Sequence, residues 1–445
     1  MKIAFVCPYD LSRPGGVQRH LLDLAAQLQN RGDQVAVIAP KMATDISLDL
    51  PLVLIGRRRS IRINQGESDI TLLQGDERRE LEDYLEKEAF DLLHFHTIWE
   101  PFLPLQVFWA SLKLRRRKRI RTRHVATFHE TPPNTLLGWF LRRFYKLLSW
   151  VLYHGLDGVI AVSDSAAAHL YQHPRMPVRN LSTCADFQPF IDHSSKHAVV
   201  AANTSDKQVR ILFVGRMDER KGVLILLRAY HLLVQEGLPV TLTLAGDGVQ
   251  ADRAKALIKA LDLPDVTLLG RFEEWEKPAI YAASDLCCSP APFGESFGLI
   301  LTEAMASGKP VVAAANEGYR RVLAAKADET LCRPGDVKDL HNKLKRLVLN
   351  PELRHSLGVW GRQEAQRYDC RNYLSKVIPV YRAALRQQPD HLKPEPATER
   401  NCGQTAVANS DRNDSKAGRG SPPTSSSETS SATVHDHKTR SRPGS

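Results

Sequence analysis

The chain has 445 residues, of which 42% are apolar and 25% are charged. This length allows two or three domains with substantial cores, and the composition is that of a globular protein. No uninterrupted apolar stretch reaches the roughly 18 residues that a membrane-spanning helix requires. Only a brief apolar run follows Lys2, which predicts a strand rather than a secretory leader and therefore favours a cytoplasmic protein.

The cysteines and the net charge further restrict the class of protein. The seven cysteines include neither a Cys-x-x-Cys pair nor the spacing of a zinc site. Several lie in apolar, strand-like runs, so we expect buried, reduced thiols. The net charge is +11, and the places where the basic residues cluster matter more than their sum.

Short apolar runs with strand character alternate with helical patterns along most of the chain, as in parallel α/β proteins. In the first half these runs cover residues 3–9, 35–40, 92–96, 125–129 and 159–163. A second series covers residues 210–215, 240–246, 266–270, 286–290 and 310–314. We therefore predict an α/β fold with two Rossmann-like, doubly wound domains that face each other across a cleft. One large doubly wound sheet is the alternative.

Changes in composition set the predicted domain boundaries. The first domain is expected over residues 1–190, a polar linker over 191–207, and the second domain over 208–366. A terminal helix is expected over residues 367–388. From residue 389 to 445 the chain loses its apolar periodicity and becomes rich in Ser, Thr and Pro. Such a segment buries too little surface to offset its ordering entropy, so we predict a disordered tail.

A glycine pair follows the first predicted strand. Gly15 and Gly16 precede a helical pattern, and the missing Cβ atoms allow a ligand to approach the backbone closely. The G-x-G-x-x-G spacing of dinucleotide sites is absent, which argues against a nicotinamide or flavin cofactor. A simple tight turn between strand and helix is the alternative interpretation.

A basic segment in the first half favours contact with an anionic membrane surface. Residues 113–123 contain eight basic and no acidic residues. Such clusters attract anionic lipid headgroups. The candidate contact residues are Arg115, Arg116, Arg117, Lys118 and Arg119. Nucleic-acid binding is the alternative, although no nucleic-acid motif accompanies the run.

The helical pattern over residues 136–153 also favours a membrane surface. On a helix, Trp139 and Trp150 share one face with Arg143 and Lys146, and Tyr153 and Arg142 lie beside it. The opposite face is predicted to pack on a core and carries Leu137, Leu141, Phe144, Leu148 and Leu152. Tryptophans interleaved with cations suit a bilayer interface. An ordinary packed helix with snorkelling basic residues is the alternative.

Polar residues stand where further predicted strands end, and ligands bind there in open α/β sheets. His129 ends one strand, and its alternative role is a cap. After the strand at 210–215, the guanidinium of Arg216 can donate two hydrogen bonds to a diphosphate, and Lys221 adds a compact positive charge. A solvated basic loop is the alternative for this pair. Two further strands end in glycine turns, at Gly246 and Gly270.

The most informative segment runs from Glu295 to Glu303, two carboxylates separated by seven residues. If Ser296 caps a helix, Glu295 lies at its mouth and Glu303 about two turns further in. The unpaired N–H groups at this start, with Phe297 and Gly298 nearest, can bind an anion. A ligand carrying both phosphate and sugar hydroxyls would fit. The alternative is a first-turn dipole partner and a solvated helix residue.

In these segments the sequence resembles the family 4 retaining glycosyltransferases of GT-B fold, and most of all the bacterial phosphatidylinositol mannosyltransferases. The resemblance extends from residue 1 to about 386 and is carried by residues 8–18, 126–129, 215–222, 294–308 and 319–323. Two segments depart from the family pattern. Residues 183–186 keep only the aspartate of a family motif. The loop at residues 57–66 differs from the mannosyltransferase pattern in the segment where those enzymes contact their acceptor.

The resemblance implies a role for each matching residue. Arg216 and Lys221 would hold the donor diphosphate, which Gly16 would line. Glu295 would hold the hydroxyls of the donor sugar, Glu303 the ribose, and His129 would lie beside the transferred sugar. Acceptor binding is assigned to Tyr9 and Gln18. The terminal helix would return to the first domain.

We therefore predict a retaining hexosyltransferase that needs neither a metal nor another cofactor. It would move a hexose, with mannose as the candidate, from a nucleotide-diphosphate sugar to a lipid-linked or phosphoinositol-like acceptor. It would act on the inner face of the membrane as a peripheral, cytoplasmic enzyme. The alternatives are a transferase with a soluble acceptor, an epimerase of the same fold, and a non-enzymatic membrane or nucleic-acid adaptor.

Overall fold

A computed structural model describes residues 1–13, 15–44, 48–63, 66–98, 103–129, 136–173, 176–201, 208–295 and 297–386. Ser296, predicted as a helix cap, and the tail predicted over 389–445 lie outside these residues. No helix in the described part of the chain is long and apolar enough to cross a membrane.

The first domain is built on a parallel sheet. Its strands are β1 (Lys2–Val6), β2 (Gln34–Ala39), β3 (Leu52–Leu54), β4 (Arg57–Ile63), β5 (Gly66–Leu72), β6 (Leu92–His96), β7 (Arg123–Phe128), β8 (Gly158–Ala161) and β9 (Arg179–Asn180). Seven of them pair in the order β3-β2-β1-β6-β7-β8-β9. The helices are α1 (Gly16–Asn30), α2 (Gly75–Glu88), α3 (Leu103–Arg116), α4 (Leu136–Tyr153), α5 (Asp164–Ala168) and α6 (Gln188–Ala201).

The second domain repeats this plan. Its strands are β10 (Val209–Val214), β11 (Val240–Ala245), β12 (Val266–Gly270), β13 (Leu286–Ser289), β14 (Val311–Ala314) and β15 (Leu331–Cys332). They pair in parallel in the order β12-β11-β10-β13-β14-β15. Its helices are α7 (Val223–Gln235), α8 (Ala251–Ala260), α9 (Lys277–Ala282), α10 (Leu299–Ala306), α11 (Glu317–Val322), α12 (Ala327–Thr330), α13 (Val337–Leu349) and α14 (Pro351–Ala365), and the chain then continues into α15 (Cys370–Arg386), which packs on the first domain. The two predicted Rossmann-like domains are confirmed.

Strand β1 shows why the sheet is covered on both faces. All but its first residue are fully buried and apolar. Alternate side chains of a strand point to opposite faces. Accordingly, Ala4 and Val6 belong to one hydrophobic core and Ile3 and Phe5 to the other. A strand that is buried on both faces has a continuous apolar sequence, which explains why the sequence predicted β1.

Two stretches differ from the sequence prediction. Within residues 57–66, taken as a loop, residues 57–63 form β4 and Gly66 begins β5, and these two strands pair in an antiparallel hairpin. The segment predicted as a linker, 191–207, begins inside α6, which packs against α9 of the second domain. Phe190 of α6 contacts Tyr281 there, with ring centroids 5.7 Å apart. The apolar residues at the start of α6 therefore give this connection a core contact of its own.

The chain crosses between the domains twice, and the two crossings lie side by side. The backbone N–H of Ala185 donates to the carbonyl of Tyr368 at 3.2 Å, and that of Cys370 donates to the carbonyl of Ala185 at 3.1 Å. Helix α15 then packs on α1, β7 and β8 of the first domain. The hydroxyl of Tyr381 on α15 lies 2.7 Å from Nδ1 of His94.

Candidate active site

The candidate site lies where the strand order reverses in each sheet. In the first sheet this point is between β1 and β6, and in the second it is between β10 and β13. Ligands of open α/β sheets bind beyond the carboxyl ends of the strands at such points. The loops that follow β1, β7, β10 and β13 carry the residues singled out in the sequence.

The loop after β10 orders Lys221 and exposes Arg216. The side chain of Asp218 accepts the backbone N–H of Lys221 at 3.0 Å. The Nζ atom of Lys221 then donates to Oε1 of Glu295 at 2.7 Å, and both side chains are largely buried. Arg216 is 59% exposed, with Nε 3.6 Å from Oδ2 of Asp218. The loop thus holds one cation in an ion pair and offers a guanidinium to solvent.

Helix α10 begins later than the sequence predicted. Its N-cap is Gly298, not Ser296, and Gly298 adopts φ 97°, a left-handed conformation that favours glycine. A Cβ atom there would lie 2.5 Å from Cε1 of Tyr319. Because glycine has no side chain that can cap the helix, the first backbone N–H groups remain available to a ligand. Phe297 is buried, with its ring 5.0 Å from that of Tyr368.

Glu303 lies just over one turn into α10 and is almost fully buried, at 2% exposure. Lys277 approaches its Oε1 atom to 3.4 Å, and the hydroxyl of Tyr281 donates to Oε2 at 3.1 Å. Burial opposes the charge of Lys277, but Glu303 and Glu274 outweigh it and raise the lysine pKa. Burial raises the pKa of Tyr281, and the neighbouring Glu303 raises it further, so this hydroxyl remains a donor.

This network reaches across the cleft. Lys277 Nζ lies 2.8 Å from Oε2 of Glu274, and the same oxygen lies 3.9 Å from Nη1 of Arg19 in the first domain. Arg19 is itself held by Asp23, with Nε donating to Oδ2 at 2.6 Å. The two domains are therefore joined by alternating charges beside the candidate ribose-binding carboxylate.

The loop after β1 places Gly16 opposite the start of α10. A Cβ atom on Gly16 would lie 3.6 Å from Cδ1 of Leu299. Gln18 stabilises this loop, since its Nε2 atom donates to the carbonyls of Asp10 and Arg13, at 3.3 Å each. Tyr9 is half-buried against the core of the first domain.

His129 is brought together with other buried histidines. It is 6% exposed, and its Nε2 atom lies 2.9 Å from Nδ1 of His96. Burial, followed by the neighbouring His20 and His94, lowers the pKa of His129 well below its usual value. The ring is therefore neutral near pH 7. It can exchange a hydrogen bond with a sugar hydroxyl but brings no positive charge.

The basic cluster divides into paired and unpaired cations. Arg115, predicted to contact a membrane, instead donates from Nη1 to Oδ2 of Asp157 at 2.6 Å and is 15% exposed. Asp157 draws Arg115 inward because it is 6% exposed and needs cationic partners. Arg119 pairs with Glu86 at 2.8 Å. In the described part of the chain no ion pair involves Arg116, Arg117 or Lys118, all of which are exposed.

Helix α4 exposes more apolar surface than the sequence predicted. Trp139 and Trp150 are 46% and 47% exposed. Phe144, assigned to the core face, is 55% exposed, whereas Tyr153 is buried. Leu148 packs against the core of the first domain and Leu152 is buried in it, as predicted, and Tyr145 and Ser149 also face inward; the side chain of Leu137 lies outside the described residues. We call the exposed set the α4 outer face; it comprises Trp139, Phe140, Arg143, Phe144, Lys146, Leu147, Trp150 and Val151.

Several residues of the site escaped sequence reasoning. Lys277 and Tyr281 lie on α9, far in sequence from the Glu303 they contact. His20 lies within α1, where a histidine on an apolar face reads as an ordinary core residue. His96 ends β6 just as His129 follows β7. The carboxyl ends of parallel strands meet at one edge of the sheet. The position of His96 and His129 at two such ends could therefore have predicted that they lie close together.

Comparison with known proteins identifies the class of protein. Residues 14–182 match the model of glycosyltransferase family 4, and residues 196–364 match that of glycosyl transferases group 1. The chain belongs to this family of glycosyltransferases, so it is a glycosyltransferase, and the family resemblance read from the sequence is confirmed.

Individual proteins and solved structures are also similar to this chain. The chain is 32% identical over 386 residues to phosphatidyl-myo-inositol mannosyltransferase of Mycobacterium leprae, covering 86% of this chain and 96% of that protein. It is 31% identical over 242 residues to D-inositol 3-phosphate glycosyltransferase of Saccharomonospora viridis, covering 52% of this chain and 56% of that protein. Among solved structures, sucrose-phosphate synthase from Thermosynechococcus elongatus superposes with a TM-score of 0.64 at 20% identity, over 86% of this chain and 98% of that one. The predicted GT-B fold is confirmed.

Proposed function

We propose that this glycosyltransferase moves a hexose, with mannose as the candidate, from a nucleotide-diphosphate sugar to a lipid-linked or phosphoinositol-like acceptor. Transfer proceeds with retention and without a metal ion, on the cytoplasmic face of a membrane. The observation that carries the proposal is the Lys221–Glu295 ion pair beside the uncapped start of α10. It joins a cation for phosphate to a carboxylate for sugar hydroxyls at 2.7 Å.

The leaving group sets the main chemical demand. Negative charge develops on the diphosphate as the bond to the sugar breaks, and fixed cations and helix N-termini stabilise it. Lys221 and the exposed guanidinium of Arg216 supply the cations, and the start of α10 supplies backbone N–H groups. This positive charge comes from the chain itself, which supports metal-independent transfer.

The remaining residues orient the donor. Glu295 accepts hydrogen bonds from sugar hydroxyls, and Glu303 accepts those of the ribose, which compete with Lys277 for the carboxylate. Neutral His129 contacts the transferred sugar. Gly16 lines the diphosphate, and Tyr9 and Gln18 face the acceptor. We assign no covalent nucleophile.

Membrane-surface action rests on the α4 outer face and on the unpaired cations Arg116, Arg117 and Lys118. An exposed apolar stripe flanked by tryptophans and basic residues suits the interface of an anionic bilayer. Arg143 lies over the ring of Trp139 at 4.5 Å, so this cation and this aromatic ring are presented together. The mycobacterial relative is named for a phosphatidyl-myo-inositol acceptor, which fits a lipid substrate.

Calorimetric titration of the full chain with GDP, UDP and ADP in parallel tests the donor site. We expect tight binding of one nucleotide and its loss in Arg216→Ala. Transfer assays in excess EDTA and an NMR assignment of the product anomer test metal independence and retention. Binding of none of the three nucleotides would contradict the proposal and favour a non-enzymatic adaptor.

A soluble acceptor is the second candidate, favoured by the partial similarity to an enzyme named for D-inositol 3-phosphate. Parallel assays with inositol phosphate and with phosphatidylinositol vesicles separate the two. Turnover of the soluble acceptor alone, together with failure to sediment with anionic vesicles, would select it.

A further inference from the structure

Three histidines from three different elements meet in the first domain. His20 comes from α1, His96 from the end of β6, and His129 directly follows β7. They are 0%, 0% and 6% exposed. One ring nitrogen of each lies within 4.8 Å of those of the other two, and the ring centroids are 5.2 to 5.5 Å apart.

Two nitrogens of this cluster lack partners. The Nε2 atoms of His20 and His96 are buried and make no hydrogen bond to any described residue. A buried polar atom without a partner costs about 1–3 kcal/mol, so such atoms call for an explanation. A cation bound to Nε2 of His20 would remove this cost at that atom, whereas on His96 the nitrogen that faces His129 is Nδ1.

The spacing of His96 and His129 suits a metal ion, and His20 would have to move closer to complete the set. Two imidazole nitrogens bound to tetrahedral zinc at roughly 2.0–2.1 Å are about 3.3 Å apart. Nδ1 of His96 and Nε2 of His129 are 2.9 Å apart, so a small opening would fit an ion between them. Metal-ligating histidines usually donate their second nitrogen to a backbone carbonyl or a carboxylate. Nδ1 of His20 accepts the backbone N–H of Cys184 at 3.0 Å and lies 3.2 Å from the carbonyl oxygen of the same residue, and these contacts fix the ring. In the tautomer that binds a cation through Nε2, the ring proton is on Nδ1 and is donated to that carbonyl.

We propose that His20, His96 and His129 form a binding site for a divalent transition cation of the zinc class. Imidazole ligands favour zinc, copper and nickel, whereas magnesium and calcium take oxygen ligands. Occupancy would engage His129 and remove it from the donor sugar, so the cation would inhibit transfer. This inhibitory consequence rests on the function proposed above, but binding itself does not.

The binding test uses the full chain after dialysis against EDTA. Zinc chloride is added in competition with a chromophoric chelator. We expect one tight equivalent in the wild type and a loss of affinity of about 100-fold or more in His20→Asn and in His96→Gln, since losing a ligand costs more than losing a second-shell partner. The control is His355→Gln, an exposed histidine on α14, which should keep the tight equivalent.

Thermal unfolding checks that the variants are folded. If they are not, the cobalt-loaded wild type provides the second measurement, and we expect the strong visible absorption of a tetrahedral site. Absence of a tight equivalent, its retention in both folded variants, or an octahedral cobalt spectrum would overturn the proposal.

Transfer assays test whether zinc inhibits sugar transfer. Each protein is compared with itself in the presence and absence of zinc. We expect zinc to abolish wild-type transfer, EDTA to restore it, and His96→Gln to be insensitive. If the chain transfers no sugar, the chelator competition still decides the metal site. Inhibition that persists in both ligand variants would contradict the inference while leaving the transferase function intact.

Discussion

Gly16 and Leu299 lie opposite each other across the cleft, so close that a Cβ atom on Gly16 would be 3.6 Å from Cδ1 of Leu299. Each is the first residue of its helix, α1 and α10 respectively. Helix N-termini carry a partial positive charge. Two such ends from different domains therefore border one space, which suits the diphosphate of the donor.

The variant Gly16→Ala tests this arrangement. The added methyl group makes only an ordinary contact with Leu299, so the fold should tolerate it, but it occupies space that a diphosphate needs. We expect nucleoside-diphosphate affinity to fall about tenfold or more, and the thermal midpoint to stay unchanged, because a close backbone approach is lost. Calorimetry measures the affinity.

Gly75→Ala is the matched control, because Gly75 is also the first residue of a helix and its Cβ position is open. It should bind nucleotide as the wild type does. Equal affinity in Gly16→Ala and Gly75→Ala would contradict a diphosphate site at Gly16.

Glu295→Ala separates sugar contacts from phosphate contacts. We expect transfer to fall by about 10² or more, with little loss of nucleotide affinity, because the proposed role of the carboxylate is to bind the sugar and its transition state. Arg216→Ala should weaken both properties, since the proposed role of its guanidinium is to bind the phosphates. Steady-state kinetics and calorimetry on the same preparations provide the comparison. Unchanged turnover in Glu295→Ala would contradict the proposed role of Glu295 in sugar transfer.

The Lys277–Glu303 pair should show strong coupling. Lys277→Ala leaves the carboxylate of Glu303 buried without its cation, which costs about 3–5 kcal/mol. Adding Glu303→Gln removes the unpaired charge and should restore a large part of the stability. A double-mutant cycle of urea unfolding at pH 7 measures the coupling. Additive effects of the two substitutions would show that the pair contributes nothing of its own.

The α4 outer face should govern vesicle binding. Phe144→Glu and Leu147→Glu each place a charge where 55% and 61% of the side chain is exposed, so the fold should be kept. We expect sedimentation with anionic vesicles to fall about tenfold or more for each variant, because apolar burial is lost and lipid repulsion is added.

Leu349→Glu is the control, because Leu349 is 58% exposed at the end of α13 in the other domain. It should sediment as the wild type does, and all three variants should keep their nucleotide affinity. Vesicle binding that is equally reduced, or equally retained, in all three variants would exclude α4 as the membrane contact.

Buried histidines predict an acid-sensitive fold. Burial lowers the pKa of His94 to about 3, with a further contribution from His20. Burial followed by the charge of Arg115 lowers the pKa of His124 to about 4. Unfolded histidines titrate near pH 6.5, and above that value both states are neutral and stability does not depend on these groups. As pH falls below 6.5 the unfolded state alone takes up protons, so stability decreases by about 1.4 kcal/mol per pH unit for each histidine, down to its folded pKa.

Urea unfolding between pH 8 and pH 4 measures this slope. His124→Gln should flatten it, while His355→Gln, at an exposed position, should run parallel to the wild type. A slope that His124→Gln leaves unchanged would mean that other groups control acid unfolding.

The sequence predicted the sheets because their strands are apolar on both faces. It also predicted the residues that follow the strands, since topology alone brings the carboxyl ends of parallel strands together. It missed the hairpin of β4 and β5, because a strand containing Arg57, Arg58 and Arg59 lacks the apolar alternation of a half-buried strand.

The remaining errors have local or long-range causes. The Ser/Thr capping rule pointed to Ser296, but a left-handed glycine starts α10 instead. Periodicity divided α4 into two faces without fixing which residues at their border pack inward, so Phe144 was misassigned. The partnership of Lys277 with Glu303 depends on how α9 packs on α10, and no local pattern encodes it.

Helix α15 completes the domain with which the chain begins. Tyr373, Val377 and Tyr381 share a core with Ile3 and Phe5 of β1. A fragment ending near residue 200 should therefore expose that core and bind a hydrophobic dye, whereas wild-type-like dye binding by the fragment would show that α15 is dispensable. On the ribosome, the first sheet must wait for residues 370–386 before the face that α1 covers in part is closed, so the amino-terminal domain is the later of the two to finish folding.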